Sequence, residues 1–385
     1  MSNARWTKTH RILSIIRRDI IEFPLRITCL ACVVFPIKKN KILIDYPNHR
    51  ETIAVVDRLK AEKGNYDIVI ASDQKKDKLM RYVKPDTLKY IYELATSGIW
   101  IDSARKKNWV HKRKQQLYIQ TWHGAVAMKK VEKDAEEVLP GFYVKRAIKD
   151  SRMADYIVAE TKQFKDTIKR SFWFDGKILE GEFKDGMFDP VDRDLICNAL
   201  GIESASRIVL YAPTFRLDGN VECYDLDYER LLKSLKERTG ESWKIIIRLH
   251  PAIADKCESI TYSKDVINGT RYPKLGDLIA LSDIVMTDYS SCMFYGYRAM
   301  KPVFIYASDF EDYMLKDRGG YFRYEELPAP VAKTTEELIA AMDSFKKKKY
   351  EEEVVLLNKR IGYFENDVMD QIIEIINNYN MGRKM

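Results

Sequence analysis

From Lys41 onward, short apolar runs alternate with longer stretches in which apolar side chains recur at helical spacing. The short runs, bounded by polar turns, predict strands at residues 41–45, 67–71, 99–101, 117–121, 156–159 and 177–179. Helical spacing lies between them at 52–62 and 87–95, and a charged helix at 189–200 leads out of this first series. A second series follows, with strands at 208–212, 244–248, 265–267, 284–287 and 303–306 and helices at 228–238, 274–281, 291–299 and 335–345. Alternating strands and helices build parallel sheets with helices on both faces. The prediction is an α/β protein of two Rossmann-like domains facing a central cleft, spanning residues 39–195 and 196–385. The amphipathic segment 368–379 either closes the second domain or packs back on the first.

Residues 1–38 differ in character. Apolar positions from Ile12 to Ile21 surround Arg17, Arg18 and Asp19, and residues 25–37 are almost wholly apolar before Lys38 and Lys39. That run falls short of the roughly 20 residues a spanning helix needs, and no small-residue cleavage site follows it. The pattern is that of a basic amphipathic segment lying on anionic lipid, with an ordinary packed helix as the alternative.

The 385 residues, 46% hydrophobic, suffice for two cores, and a formal charge of +8 favours an anionic partner without naming one. Six cysteines at 29, 32, 197, 223, 257 and 292 show no repeated spacing. They read as buried thiols of a reducing cytoplasm rather than a disulfide framework or a zinc site, the lone Cys29-x-x-Cys32 included. Asp225 and Asp227 form a D-x-D pair in a loop before a helix, where capping is the simpler role; no metal or cofactor is expected.

Chemistry concentrates where strands end, because helix N-termini there present unpaired N–H groups to ligands. Four stretches lie at such ends: Gln120-Thr121-Trp122-His123-Gly124, Tyr211-Ala212-Pro213-Thr214-Phe215-Arg216, Arg248-Leu249-His250-Pro251, and Thr287-Asp288-Tyr289-Ser290-Ser291. Ser290 and Ser291 suit either helix capping or phosphate binding. Arg216 suits either a bidentate contact with a phosphate or a surface salt bridge. A single histidine such as His250, between Arg248 and Pro251, is more often structural, but its convergence with Arg216 and Ser290 at equivalent strand ends raises the functional reading.

In this order the four motifs, with Ile99-Trp100-Ile101-Asp102, Lys129-Lys130 and Asp317-Arg318-Gly319-Gly320-Tyr321-Phe322, resemble the CDP-glycerol glycerophosphotransferase family of teichoic-acid and capsule-type polymer synthesis over about residues 39–340. The resemblance implies a GT-B-like fold, an acceptor-side first domain and a CDP-donor-binding second domain. It also implies peripheral association with the cytoplasmic face of the membrane. The implied reaction moves a polyol phosphate, glycerol phosphate foremost, from a CDP-polyol to a hydroxyl of a lipid-linked saccharide or polymer, releasing CMP. Residue by residue, it makes His123 the general base and places His250 on the donor pyrophosphate, as charge stabiliser or as acid for CMP. It places Trp122, Gly124, Thr214, Arg216, Arg248, Asp288, Ser290, Ser291 and Arg318 on the CDP-polyol, Gly124 by letting backbone approach the ligand. Two departures stand out. The G-x-P-R-like turn of many members reads Gly181-Glu182-Phe183-Lys184-Asp185 here, leaving Lys184 as the nearest basic side chain, and Tyr295 stands where an acidic residue is frequent.

The alternatives are a GT-B glycosyltransferase using a nucleotide sugar, and a non-enzymatic basic protein that binds membranes or polyanions. The chain lacks the aromatic-basic motifs of nucleic-acid binders, so no nucleic-acid partner is expected. The short stretch before the first α/β series favours a priming or short-chain transferase over a long-chain polymerase.

Overall fold

The computed structural model describes residues 22–46, 49–62, 64–73, 77, 80–216, 221–316 and 319–383. The chain divides into two compact units, residues 1–125, 131–185 and 364–385 in the first and residues 126–130 and 186–363 in the second. The N-terminal reading at residues 12–21 lies outside the described residues.

Among the described residues, the first unit has a seven-stranded sheet in the order β3-β2-β1-β4-β5-β6-β7. Its strands are β1 (Lys38–Asp45), β2 (Asp67–Ala71), β3 (Arg81–Val83), β4 (Ser97–Asp102), β5 (Leu117–Gln120), β6 (Tyr156–Ala159) and β7 (Lys177–Glu180). Every pairing is parallel. Strands β4, β5 and β6 are buried along their whole length, which is why they appear in the sequence as unbroken apolar runs.

The second unit has a six-stranded parallel sheet in the order β10-β9-β8-β11-β12-β13, from β8 (Arg207–Tyr211), β9 (Trp243–Ile247), β10 (Val266–Asn268), β11 (Ile284–Thr287), β12 (Val303–Tyr306) and β13 (Val331–Ala332). Both sheets therefore follow the strand order of a dinucleotide-binding Rossmann unit. Each has a switch point where the order reverses, between β1 and β4 in one and between β8 and β11 in the other.

Two features differ from the expected layout. The division falls at 185/186 rather than 195/196, because the helix Arg193–Leu200 packs on the helix Leu275–Leu281 of the second unit. The helix Val368–Asn380 belongs to the first unit, not the second. Its apolar stripe of Val368, Met369, Ile372, Ile373 and Ile376 joins the core beneath β1 and β7. Val368 N–H also donates to Glu182 O at 3.0 Å and Tyr379 Oη–H to Gln115 O at 2.6 Å.

Residues 22–31 are helical and lead into a 3-10 turn, Cys32–Val34. No helix among the described residues is long and apolar enough to cross a membrane.

Ile372 is fully buried, so Ile372→Ala is expected to lower stability by about 2–5 kcal/mol in urea-induced unfolding. The exposed Val355→Ala should change it by less than about 0.5 kcal/mol. Equal, small effects for both would remove the C-terminal helix from the core.

Candidate active site

In the first unit the register of the sheet builds the site. Asp102 at the end of β4 pairs with Gln120 at the end of β5, so the chain beyond each strand lies beside the other. Thr121 N–H donates to Asp102 O at 2.8 Å, and Gln120 Oε1 turns back to accept Trp122 N–H at 2.9 Å. The chain leaves the sheet through positive φ values at two of the next three residues, 59° at Trp122 and 98° at Gly124. A non-glycine residue in that region is strained. Gly124 is explained by its φ: a Cβ there would meet no atom within 4 Å.

This turn exposes His123 and sets its orientation. Nδ1 lies 2.6 Å from Ser103 O. A carbonyl oxygen only accepts, so Nδ1 carries the proton of the neutral ring and Nε2 holds the lone pair. His123 stacks on Trp122 at 4.9 Å between ring centroids, 18° between planes. Trp122 is buried, wedged against Phe172 at 4.9 Å and covered by the Arg105 guanidinium at 5.0 Å. Arg105 is in turn ion-paired to Asp150 at 3.0 Å and Glu132 at 3.3 Å. Trp122, placed on the donor by the resemblance, thus backs the histidine within the core.

Sequence reasoning passed over the first turn of the helix Arg50–Ala61. Gly124 N–H donates to the buried Glu51 Oε1 at 2.9 Å. Arg50 forms two bonds to Glu160, at 3.0 Å each, and reaches Asp185 at 2.8 Å and Phe183 O at 2.9 Å. Burial raises the Glu160 carboxyl pKa to about 7, against the pull of Arg50. At the β1–β4 switch point, Asp45 and Asp102 flank the buried Lys106, which bridges both. An H-R-E triplet at the start of a helix gives only an N-terminal signal in sequence. Its proximity to the Trp122-His123-Gly124 turn comes from non-local pairing of β1, β4 and β5.

In the second unit, Tyr211 pairs with Ile247 on one side and Met286 on the other, bringing the ends of β8, β9 and β11 together. Thr214, Arg248 and Ser290 therefore share one edge of one sheet. The two arginines there differ. Arg216 is occupied, bonding Asp309 at 2.7 and 3.0 Å, Asp288 at 2.9 Å and Thr214 O at 2.5 Å, with its plane over Tyr289 at 4.8 Å. Asp288, 1% exposed, accepts Thr214 N–H at 2.7 Å, so the pair fixes the loop after β8. Arg216 is thus ion-paired, but within the protein rather than in a surface salt bridge.

Arg248 is the contrast. Its Nη1 is buried without a hydrogen-bond partner among the described residues, and burial lowers the guanidinium pKa from its ordinary value. The residue as a whole is half-buried, and a buried N–H group is costly unless an acceptor reaches it. His250 packs on Phe215 at 4.7 Å, and burial followed by the Arg248 charge holds its imidazole below the ordinary value, favouring the neutral ring. Ser290 Oγ accepts Cys292 N–H at 3.2 Å, whereas Ser291, at the N-cap of the helix Cys292–Arg298, makes no capping bond.

Of the remaining positions, Lys184 Nζ lies on Glu182 at 3.1 Å, and Asp227 caps the helix Tyr228–Thr239 through Arg230 N–H at 2.9 Å. Arg318 falls outside the described residues. The Lys129-Lys130 and Gly319-Gly320-Tyr321 motifs meet: Lys129 bridges Gly320, Lys130 N–H donates to Gly319 O at 2.9 Å and Tyr321 N–H to Met128 O at 2.8 Å.

Beyond β5 the first unit presents an oriented imidazole, and beyond β9 the second presents a guanidinium with a buried nitrogen that no described residue satisfies. Residues 31–376 match the family described as CDP-Glycerol:Poly(glycerophosphate) glycerophosphotransferase, and the chain belongs to that family of transferases. It is similar to the teichoic acid poly(glycerol phosphate) polymerase of Bacillus spizizenii, 27% identical over 83% of this chain and 86% of that protein. It is also similar to the polymerase of the same name from Bacillus subtilis, 30% identical over 69% of this chain but only 37% of that protein's length. The fold is similar to the solved structure of the wall teichoic acid polymerase TagF, with a TM-score of 0.79 at 21% identity over 97% of this chain and 99% of that one.

Arg216→Ala leaves the buried Asp288 unpaired and is expected to lower stability by about 3–5 kcal/mol. Arg248→Ala breaks no ion pair and should cost under about 1 kcal/mol by the same thermal or urea measurement. A larger loss for Arg248 than for Arg216 would overturn this contrast between the two arginines.

Proposed function

We propose that this chain transfers glycerol phosphate from CDP-glycerol to a hydroxyl of a lipid-linked saccharide or growing polymer in teichoic-acid or capsule-type synthesis, releasing CMP. The observation that carries this reading is His123, whose Nδ1–H is committed to Ser103 O while Nε2 retains its lone pair. In this reading Nε2 takes the proton of the acceptor hydroxyl as its oxygen attacks the β-phosphorus of the donor. The new P–O bond forms as the bond to the bridging oxygen breaks, and the electron pair leaves with CMP. Arg248 stabilises charge on the pyrophosphate, and His250 stabilises the leaving phosphate or donates a proton to it. Thr214, Ser290 and Ser291 contribute polar contacts to the donor, Arg318 a cation, and Gly124 leaves room for the acceptor. Arg216 and Asp288 act indirectly, by fixing both ends of the Thr214 peptide.

The GT-B-like division of labour, acceptor on the first unit and CDP donor on the second, is part of this proposal. So is peripheral attachment to the cytoplasmic membrane face. Phe23, Ile27, Leu30 and Val34 recur at helical spacing and are all exposed, Val34 to 82%, while Cys29 of the same segment is buried. Exposed Phe35 packs edge-on against Tyr92 at 5.2 Å, and exposed Arg26, Lys38 and Lys39 flank the stripe. Apolar side chains rimmed by cations match an anionic lipid surface.

Purified protein mixed with CDP-glycerol and a lipid-linked saccharide is expected to release CMP and form a phosphodiester. His123→Ala and His250→Ala should each lower turnover at least about 100-fold. Activity should persist in excess chelator, since no metal is assigned a role. Release of a nucleoside diphosphate from a nucleotide sugar would instead identify a glycosyltransferase.

A further inference from the structure

The motifs that point to His123 leave His49 without a role, yet the fold places the two rings together. His49 directly precedes the helix Arg50–Ala61, in an extended conformation. Its ring centroid lies 4.9 Å from that of His123, with 38° between planes. His49 Nδ1 is 2.7 Å from Ser103 Oγ, and Ser103 O is the acceptor for His123 Nδ1–H. One fully buried serine thus holds both histidines, the first by its hydroxyl and the second by its carbonyl. The next two residues of the same turn reinforce the arrangement, Arg50 on Glu160 and Glu51 on Gly124 N–H.

We propose that His49 is a positioning residue for the base: by holding the Ser103 side chain and lying against the His123 ring, it fixes the direction in which His123 Nε2 points. The inference rests on the reading of His123 as general base. Orientation decides its value, since a misplacement near 1 Å at a reacting group lowers rate by about 100-fold. The assigned role is in the chemical step and not in holding the donor. His49 is therefore expected to affect kcat while leaving KM for CDP-glycerol almost unchanged.

The full chain tests this with His49→Ala, His49→Asn, Ser103→Ala and the His49→Ala/Ser103→Ala double variant, each assayed for CMP release over a range of CDP-glycerol. His49→Ala and Ser103→Ala should each lower kcat by about 30–100-fold with KM for CDP-glycerol within about twofold. Asparagine keeps a hydrogen-bonding atom near the position of Nδ1, and His49→Asn should recover to within about fivefold of the parent. The double variant should be no slower than the worse single variant, because both remove the same support. Unchanged kcat in His49→Ala, multiplying effects in the double variant, or a change confined to KM would each overturn the proposal. Imidazole 15N shifts of His123 give a readout independent of the donor. His49→Ala should shift the His123 tautomer balance toward Nε2–H, and an unaltered balance would also overturn it. Failure of the parent chain to release CMP would count against the transfer reading alone, leaving the NMR comparison to decide the role of His49.

Discussion

The functional reading depends on one hydrogen bond, from His123 Nδ1–H to Ser103 O. A backbone carbonyl is a pure acceptor, so this contact selects the tautomer with a basic Nε2 without needing a carboxylate partner. The geometry that permits it is distributed through the first unit. The β4–β5 register aligns Asp102 with Gln120, the strained φ of Trp122 swings the following ring back over the β4 end, and Arg105 and Phe172 hold Trp122 in place. Strain of about 1–3 kcal/mol at such a turn persists only where the surroundings over-determine it. The buried charges around residues 102–106 and 150 provide that rigidity.

The second unit solves a different problem with similar parts. Two arginines lie at adjacent strand ends, and their surroundings separate their roles. Arg216 is closed off by two carboxylates and three tyrosine rings, so it stiffens the loop carrying Thr214. Arg248 is left without such partners for Nη1, and the same charge that suits it to an anion also favours a neutral His250.

Much of this was legible in the sequence because fully buried parallel strands read as unbroken apolar runs. The strands around Leu117, Tyr156, Ile284 and Val303 were found for that reason, and the four motifs follow strand ends directly. β3 and β13 were missed: Arg81–Val83 has a partly exposed strand pattern, and Val331–Ala332 is too short to register. The helix Val368–Asn380 was visible as an amphipathic stripe, but the surface it covers lies far away in sequence and could not be read from spacing. The same limit hid His49 and the pairing of Arg216 with Asp309. Each depends on contacts across many intervening residues that only the sheet order creates.

The protonation pattern of the His123 ring can be observed directly. A long-range 1H–15N correlation spectrum of the protein labelled at histidine, recorded at about pH 8.5 where an ordinary imidazole is neutral, resolves which nitrogen of His123 carries the proton. The Nδ1–H tautomer is expected, with Nε2 showing the shift of an unprotonated nitrogen. Predominance of the Nε2–H tautomer would contradict it, because the nitrogen assigned to receive the acceptor's proton would already hold one.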